Sequence, residues 1–180
     1  MPLDAMGTNL KDARLFRPQV FEDDRGFFKE TYSTKKYRDL GLTDEFVQDS
    51  VSFSTKDVIR GLHGDPKMSK LVQCLRGKLW DAIVDMRPSS PTYGKWQGFY
   101  LSENNHLQLY VPSGFAHGFL ALTDDVIFSY KHGALHDSER EFALRWDDPT
   151  VAVEWPLLGA PRVSKKDQSA KSFSEIRLDL

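Results

Sequence analysis

The chain has a single cysteine, Cys74, among its 180 residues. That excludes an internal disulfide and a thiolate metal cluster. Long hydrophobic runs are missing: no stretch approaches the roughly 20 consecutive apolar residues of a membrane span. Residues 1–15 include two acids, Asp4 and Asp12, and lack the apolar stretch of a secretory signal. No charge sign is in excess. The 24 Lys and Arg against 26 Asp and Glu leave a formal net charge of −2, without the basic surplus of a phosphate-backbone binder. Neither nucleic acid nor membrane is expected as a partner, and a cytoplasmic location is. A small anionic ligand would need only a few cations gathered in one pocket. Repeats, low-complexity tracts and linkers are also missing, so residues 1–180 read as one domain. Apolar residues at 40% and charged residues at 28% are ordinary for a globular chain. The length is sufficient for one sizeable core.

Strand signals run from about Leu15 to Trp155. Gly26 to Tyr32 is aromatic-rich and follows the turn-like Asp23-Asp24-Arg25. Phe46 to Ser54 partly alternates apolar with polar. Leu71 to Leu75 leads through Arg76-Gly77-Lys78 into Leu79 to Met86, and Val126 to Tyr130 and Val151 to Trp155 follow. Short runs punctuated by Gly, Pro, Asn and Asp are the pattern of an all-β sandwich or barrel. Thr34 to Leu40 predicts a short helix stopped by Gly41. Ser172, with Glu175 three residues on, predicts a capped final helix. Arg87 to Gly94 is the strongest loop.

Two histidines stand in glycine-flanked settings: His63 in Arg60-Gly61-Leu62-His63-Gly64, and His117 in Pro112-Ser113-Gly114-Phe115-Ala116-His117-Gly118. The second resembles the P-x-G-x-x-H motif of cupin barrels. Metal-bearing cupins supply His-x-His and a Glu in the first motif, but two residues after His63 stands Asp65. One histidine per motif falls short of the three or more ligands a metal usually needs, so no metal is expected. A neutral imidazole is suited to removing a C–H proton beside a carbonyl. An aspartate at its other nitrogen would fix the tautomer. The resulting enolate needs a cation or donor at its oxygen, and Lys70, at the start of the next strand, is a candidate. Inversion also needs an acid on the opposite face, and Tyr130, ending an apolar strand, is suited to that role. Taken singly, each residue has a plainer reading: a structural histidine, a core-edge tyrosine, a solvent-facing lysine. The whole pattern outweighs these.

That pattern resembles the dTDP-4-dehydrorhamnose 3,5-epimerase family from about Leu15 to Phe173. The motifs that carry the likeness are Asp24-Arg25-Gly26-Phe27-Phe28, Arg60-Gly61-Leu62-His63, Lys70-Leu71-Val72, Asp85-Met86-Arg87, Gly114-Phe115-Ala116-His117-Gly118-Phe119, Trp146-Asp147-Asp148-Pro149 and Glu154-Trp155-Pro156. The resemblance implies an all-β cupin double-stranded β-helix, or jelly roll, with a few short helices. It implies His63 as catalytic base with Asp167 as its partner, Tyr130 as opposing acid and Lys70 at the enolate oxygen. Arg60 and His117 would line the same pocket. Arg25, Phe28 and Glu30 would reach the nucleotide end of a neighbouring subunit's site in a homodimer with an exchanged N-terminal strand. The implied substrate is a nucleotide-linked 4-keto-6-deoxy sugar, inverted at C3, C5 or both, and no cofactor is implied.

The sequence also departs from the family pattern. Residues 64–69 form a shorter stretch than the family has after its histidine. Gly64 replaces an aromatic there and is expected to open space beside the sugar, while Asp65 is expected to contact substrate. Gln48 is in place, but Ser50 replaces an asparagine, and His136 stands where a second tyrosine is usual. These positions leave dTDP as the leading donor with GDP and CDP as alternatives. Two other activities stay open: a non-catalytic sugar-binding cupin and a 3,4-ketoisomerase.

Overall fold

The computed structural model describes residues 3–178. The N-terminal third contains β1 (Asp4–Gly7), β2 (Arg14–Arg17), β3 (Val20–Asp23), β4 (Gly26–Lys29) and helix α1 (Thr34–Asp39). Eight strands follow, all but β10 longer than these: β5 (Gln48–Ser54), β6 (Val58–Gly64), β7 (Lys70–Arg76), β8 (Lys78–Asp85), β9 (Trp96–Ser102), β10 (Gln108–Val111), β11 (Phe115–Ala121) and β12 (Val126–His132). Two-residue strands β13 (Phe142–Ala143) and β14 (Arg162–Val163) precede α2 (Lys165–Gln168) and one 3-10 turn, Phe173–Glu175.

The chain passes back and forth between two sheets. One has the order β1-β2-β10-β7-β12-β5, the other β13-β6-β11-β8-β9, with β14 added beside β6. β3 and β4 form a separate hairpin. This is a cupin-type jelly roll. The main core fills the space between the sheets: Val72 and Cys74 of β7, Ile83 of β8, Phe119 of β11 and Phe128 of β12 belong to one buried cluster. Tyr37 of α1 covers the outside of the first sheet with Phe16, Leu42 and Leu71. The outside of the second sheet is covered by the C-terminal segment, where Val151, Trp155 and Ile176 pack with Leu62, Trp80 and Val84. β8 is therefore buried on both faces, which explains why Leu79 to Met86 is apolar on both, apart from the buried Asp81 and Asp85. No helix among the described residues is long and apolar enough to cross a membrane.

Two expected elements take other forms. Val151 to Trp155 is not a strand. The Asp148 carboxylate accepts from the backbone N–H groups of Thr150 (2.9 Å) and Val151 (3.0 Å), and Ala152 has φ +53°, so the chain cannot stay extended there. Its apolar residues come instead from packing, with the Trp155 ring 5.2 Å from that of Trp80. The final helix shrinks to the 3-10 turn. Glu175 does reach back to the Ser172 N–H at 2.8 Å, but Ile176 is already extended and buried.

Candidate active site

A cavity of about 670 Å³ opens at one end of the space between the sheets. β6 and β11 of the second sheet supply Arg60, His63 and His117 to its wall. β5, β7 and β12 of the first sheet supply Gln48, Ser50, Ser52, Lys70, Tyr130 and His132. Glu141, Arg162, Lys166 and Asp167 close it from the C-terminal side.

The glycines around the two histidines have a packing role. Gly61 has φ +110°, and a Cβ there would lie 2.6 Å from the His117 carbonyl oxygen and 2.8 Å from Gly118 Cα. A Cβ on Gly118 would lie 2.5 Å from the Arg60 carbonyl oxygen. Bare backbones thus let β6 and β11 approach where their register shifts, between His117 and Phe119. His63 and His117 face each other as a registered pair just beside this shift.

Each histidine is held by a carboxylate. His63 Nε2 lies 2.6 Å from Asp167 Oδ1, and Asp167 Oδ2 accepts from the Gly61 N–H at 3.4 Å. Asp167 is aimed by the start of α2, where its own N–H donates to Ser164 Oγ at 3.1 Å. A carboxylate only accepts, so Nε2 carries the hydrogen and Nδ1 keeps the basic lone pair. His117 Nε2 meets Asp81 Oδ2 at 2.8 Å in a fully buried pair. Burial raises the Asp81 pKa, with the neighbouring His117 pulling the other way. Lys70 Nζ donates to the His63 carbonyl at 3.4 Å, and burial lowers its pKa. On the sheet opposite the two histidines, burial raises the Tyr130 pKa, against the hydrogen bond it shares with Ser52 Oγ at 3.0 Å. Arg60 donates to Ser54 Oγ and to the Phe53 carbonyl, both at 2.9 Å. Arg162 donates to Thr55 Oγ1 at 2.7 Å and to the Lys56 carbonyl. Neither guanidinium forms an ion pair among the described residues, so both offer charge to an anionic ligand.

Of the residues expected from sequence, His63, Tyr130, Asp167, Lys70, Gln48, Ser50, Arg60, His117 and His136 line this one cavity. Gln48 Oε1 accepts from the His136 backbone N–H at 3.1 Å and so tethers the loop that carries His136. Arg25, Phe28 and Glu30 lie elsewhere: Arg25 pairs with Asp23 on the exposed β3–β4 hairpin, Phe28 is 70% exposed, and Glu30 pairs with Lys36.

Asp65 and Gly64 need correction. Asp65 is buried and turned away from the cavity. It accepts from the Lys67 N–H at 2.7 Å and pairs with Arg140 at 3.3 Å, so it is the organising residue of a turn. Gly64 opens no space, because a Cβ there would collide with the Phe142 ring and the Phe115 carbonyl. The segment reaches the cavity wall only from behind, where Met68 Sδ lies 3.2 Å from His132 Nδ1. Asp65→Ala is therefore expected to lower stability by about 2 kcal/mol, the order of a lost buried hydrogen-bonded charge. The ratios of kcat/KM between alternative sugar nucleotides should not move. Denaturant melts and a substrate panel measure both, and a changed ratio would return Asp65 to the site.

Asp81 and His132 escape sequence reasoning. The signal for Asp81 was an acid inside the apolar run of β8, an arrangement that demands a buried partner. His132 is two residues beyond Tyr130 on the same strand face, its ring stacked at 14° on the phenol. Burial, with Lys70 nearby, lowers its pKa to about 4, so it stays neutral.

A jelly roll whose cavity holds histidine–carboxylate pairs, a half-buried lysine and a facing tyrosine has the parts of a proton-transferring isomerase. Comparison with known proteins narrows this class. Residues 7–175 match the family model described as dTDP-4-dehydrorhamnose 3,5-epimerase. The dTDP-4-dehydrorhamnose 3,5-epimerase of Escherichia coli K12 is 40% identical over 183 residues, covering 99% of each chain. The crystal structure of the Legionella pneumophila dTDP-6-deoxy-D-glucose-3,5-epimerase, in complex with dTDP-4-keto-L-rhamnose, superposes with a TM-score of 0.94 at 40% identity, covering 98% of this chain and 95% of that one. The dTDP-4-dehydrorhamnose 3,5-epimerase of Bacillus anthracis, with TDP and PPi bound, gives 0.92 at 42% identity, covering 95% and 99%. The chain belongs to the dTDP-4-dehydrorhamnose 3,5-epimerase family, isomerases that act on carbohydrates.

Proposed function

We propose that this protein inverts C3 and C5 of a dTDP-linked 4-keto-6-deoxyhexose. The observation that carries the reading is the placement of the His63–Asp167 pair and Tyr130 on facing sheets of one cavity, with Lys70 bonded beside His63. The ketone acidifies the C–H bonds on both its flanks. His63 Nδ1 takes one such proton, and the C–H electron pair moves into the enolate at the C4 oxygen. Asp167 stabilises the imidazolium that forms. The Lys70 ammonium holds the enolate oxygen in a water-poor site where a fixed charge is most effective. Tyr130 then delivers its proton to the opposite face of the carbon, which inverts the centre and leaves a phenolate. The imidazolium loses its proton to solvent and the phenolate regains one, so each turnover introduces solvent hydrogen. Arg60 and Arg162 suit the diphosphate, in keeping with the TDP and PPi of the Bacillus anthracis relative.

A homodimer follows from the same reading. The β3–β4 hairpin exposes Phe21, Phe27 and Phe28, and Val51 and Phe53 are exposed on the edge strand β5. A second copy covering these aromatics would bring Arg25, Phe28 and Glu30 to its partner's nucleotide. Sedimentation at twice the 20.6 kDa chain mass checks this, and a monomer at working concentration overturns it.

The test of function is incubation in D₂O with dTDP-, GDP- and CDP-linked 4-keto-6-deoxy sugars, followed by NMR. Deuterium is expected at both C3 and C5 of the dTDP sugar. Label at C3 alone removes the second centre, and a preference for GDP or CDP removes the nucleotide assignment. No incorporation in any arm defeats the epimerase reading.

A further inference from the structure

We infer that Ser52 is a positioning residue for Tyr130, holding the phenol in place and donating a hydrogen bond to the phenolate as it gives up its proton. The inference rests on the role proposed above for Tyr130.

Gln48, Ser50 and Ser52 alternate along β5 and line the cavity beside β12. In the register, Tyr130 lies opposite Ser50, and Ser52 lies opposite Phe128. Yet the phenol bonds diagonally to Ser52 Oγ at 3.0 Å, while Ser50 Oγ is engaged by Gln48 Nε2 at 3.5 Å. Diagonal cross-strand neighbours are within reach of a tyrosine. The rest of the ring is enclosed by Phe128, His117 and His132, with centroids 4.8, 6.4 and 6.0 Å away. Ser52 supplies the only hydrogen bond of the hydroxyl among the described residues.

The chemistry gives that bond its function. Burial strengthens the O–H bond of Tyr130 against ionisation, which makes a poorer acid. Buried Asp81 acts in the same direction and Arg60 opposes it. A serine hydroxyl can accept from the neutral phenol and rotate to donate to the phenolate. Hydrogen bonds to an ionised oxygen are roughly twice as strong as neutral ones. Ser52 therefore stabilises the state in which the proton has been given away more than the state before it, and such differential stabilisation lowers a barrier. His63, on the facing sheet, does not depend on this bond.

The measurement is the ratio of inversion to solvent exchange in D₂O for Ser52→Ala, with Ser52→Thr as the variant that restores a hydroxyl. Inversion by Ser52→Ala should fall about tenfold while exchange stays within about threefold, because His63 still removes the proton and returns solvent hydrogen to the same face. Ser52→Thr should recover most of the ratio. A parallel fall in both quantities would mark Ser52 as merely structural, and an unchanged ratio would show that the hydrogen bond is idle; either overturns the inference. Tyr130→Phe run alongside separates this from failure of the underlying reading: wild-type inversion by that variant removes Tyr130 as the acid, whatever Ser52 does.

Discussion

His63→Ala will exchange substrate C–H protons with solvent at least about 10³-fold more slowly than the wild-type protein, and will invert no centre. General-base catalysis contributes on the order of 10²–10⁴-fold, and of the four histidines that line the cavity only His63 is both paired with a carboxylate and open to solvent. His117 is committed to Asp81 in a pair that solvent barely reaches, and His132 is neutral but enclosed, with its Nε2 buried and unpartnered among the described residues. Loss of binding or of the fold must be separated from loss of the base. His63 is 28% exposed and outside the core clusters, so the variant should fold. Removing the ring leaves Asp167 Oδ1 without its donor, at a cost of about 1–3 kcal/mol for a buried acceptor. His63→Gln offers an amide donor but no base, and should be equally inactive. A folded His63→Ala protein that exchanges at the wild-type rate would end the assignment.

Tyr130→Phe will separate two processes that run together in the wild-type protein. Inversion should fall about 10²-fold or more, because the far face of the carbanion no longer has an acid. Exchange should fall much less, since His63 and Lys70 are untouched. Product analysis in D₂O should show mainly deuterated starting material, its configuration retained. The substitution keeps the ring that packs against Phe128 and His132, so stability should change by no more than about 1 kcal/mol. Equal loss of exchange and inversion would instead point to Tyr130 as a binding residue.

Most of this site could be read from the chain because its residues sit on strands whose neighbours carry recognisable motifs. His63, Lys70 and Tyr130 mark the end or beginning of apolar runs, and a strand fixes where its alternate side chains point. Asp167 was different. Its own surroundings, Ser164-Lys165-Lys166, read as a surface loop, and only the family likeness singled it out; the β14–β6 pairing that carries it to His63 leaves no local trace. Asp65 failed for the opposite reason. Proximity in sequence to His63 suggested proximity to substrate, but Gly64 ends β6 and the following turn bends the carboxylate back to Arg140. Val151 to Trp155 misled because apolar residues that cover a sheet from outside resemble residues that belong to one.

The way Asp167 reaches His63 has a consequence for how the protein is made. The two partners are 104 residues apart, and the later one arrives on a two-residue strand and a four-residue helix near the C-terminus. A chain emerging from the ribosome can close its sheets around most of the cavity before Arg162–Gln168 exists, yet His63 has no carboxylate until that segment docks on β6. Domains fold from the N-terminal end during synthesis at about 5–20 residues per second. Under the proposed mechanism the His63–Asp167 pair therefore forms only after the sheets that hold His63, and a product cut before Arg162 lacks both the Asp167 carboxylate and the Arg162 guanidinium at the cavity.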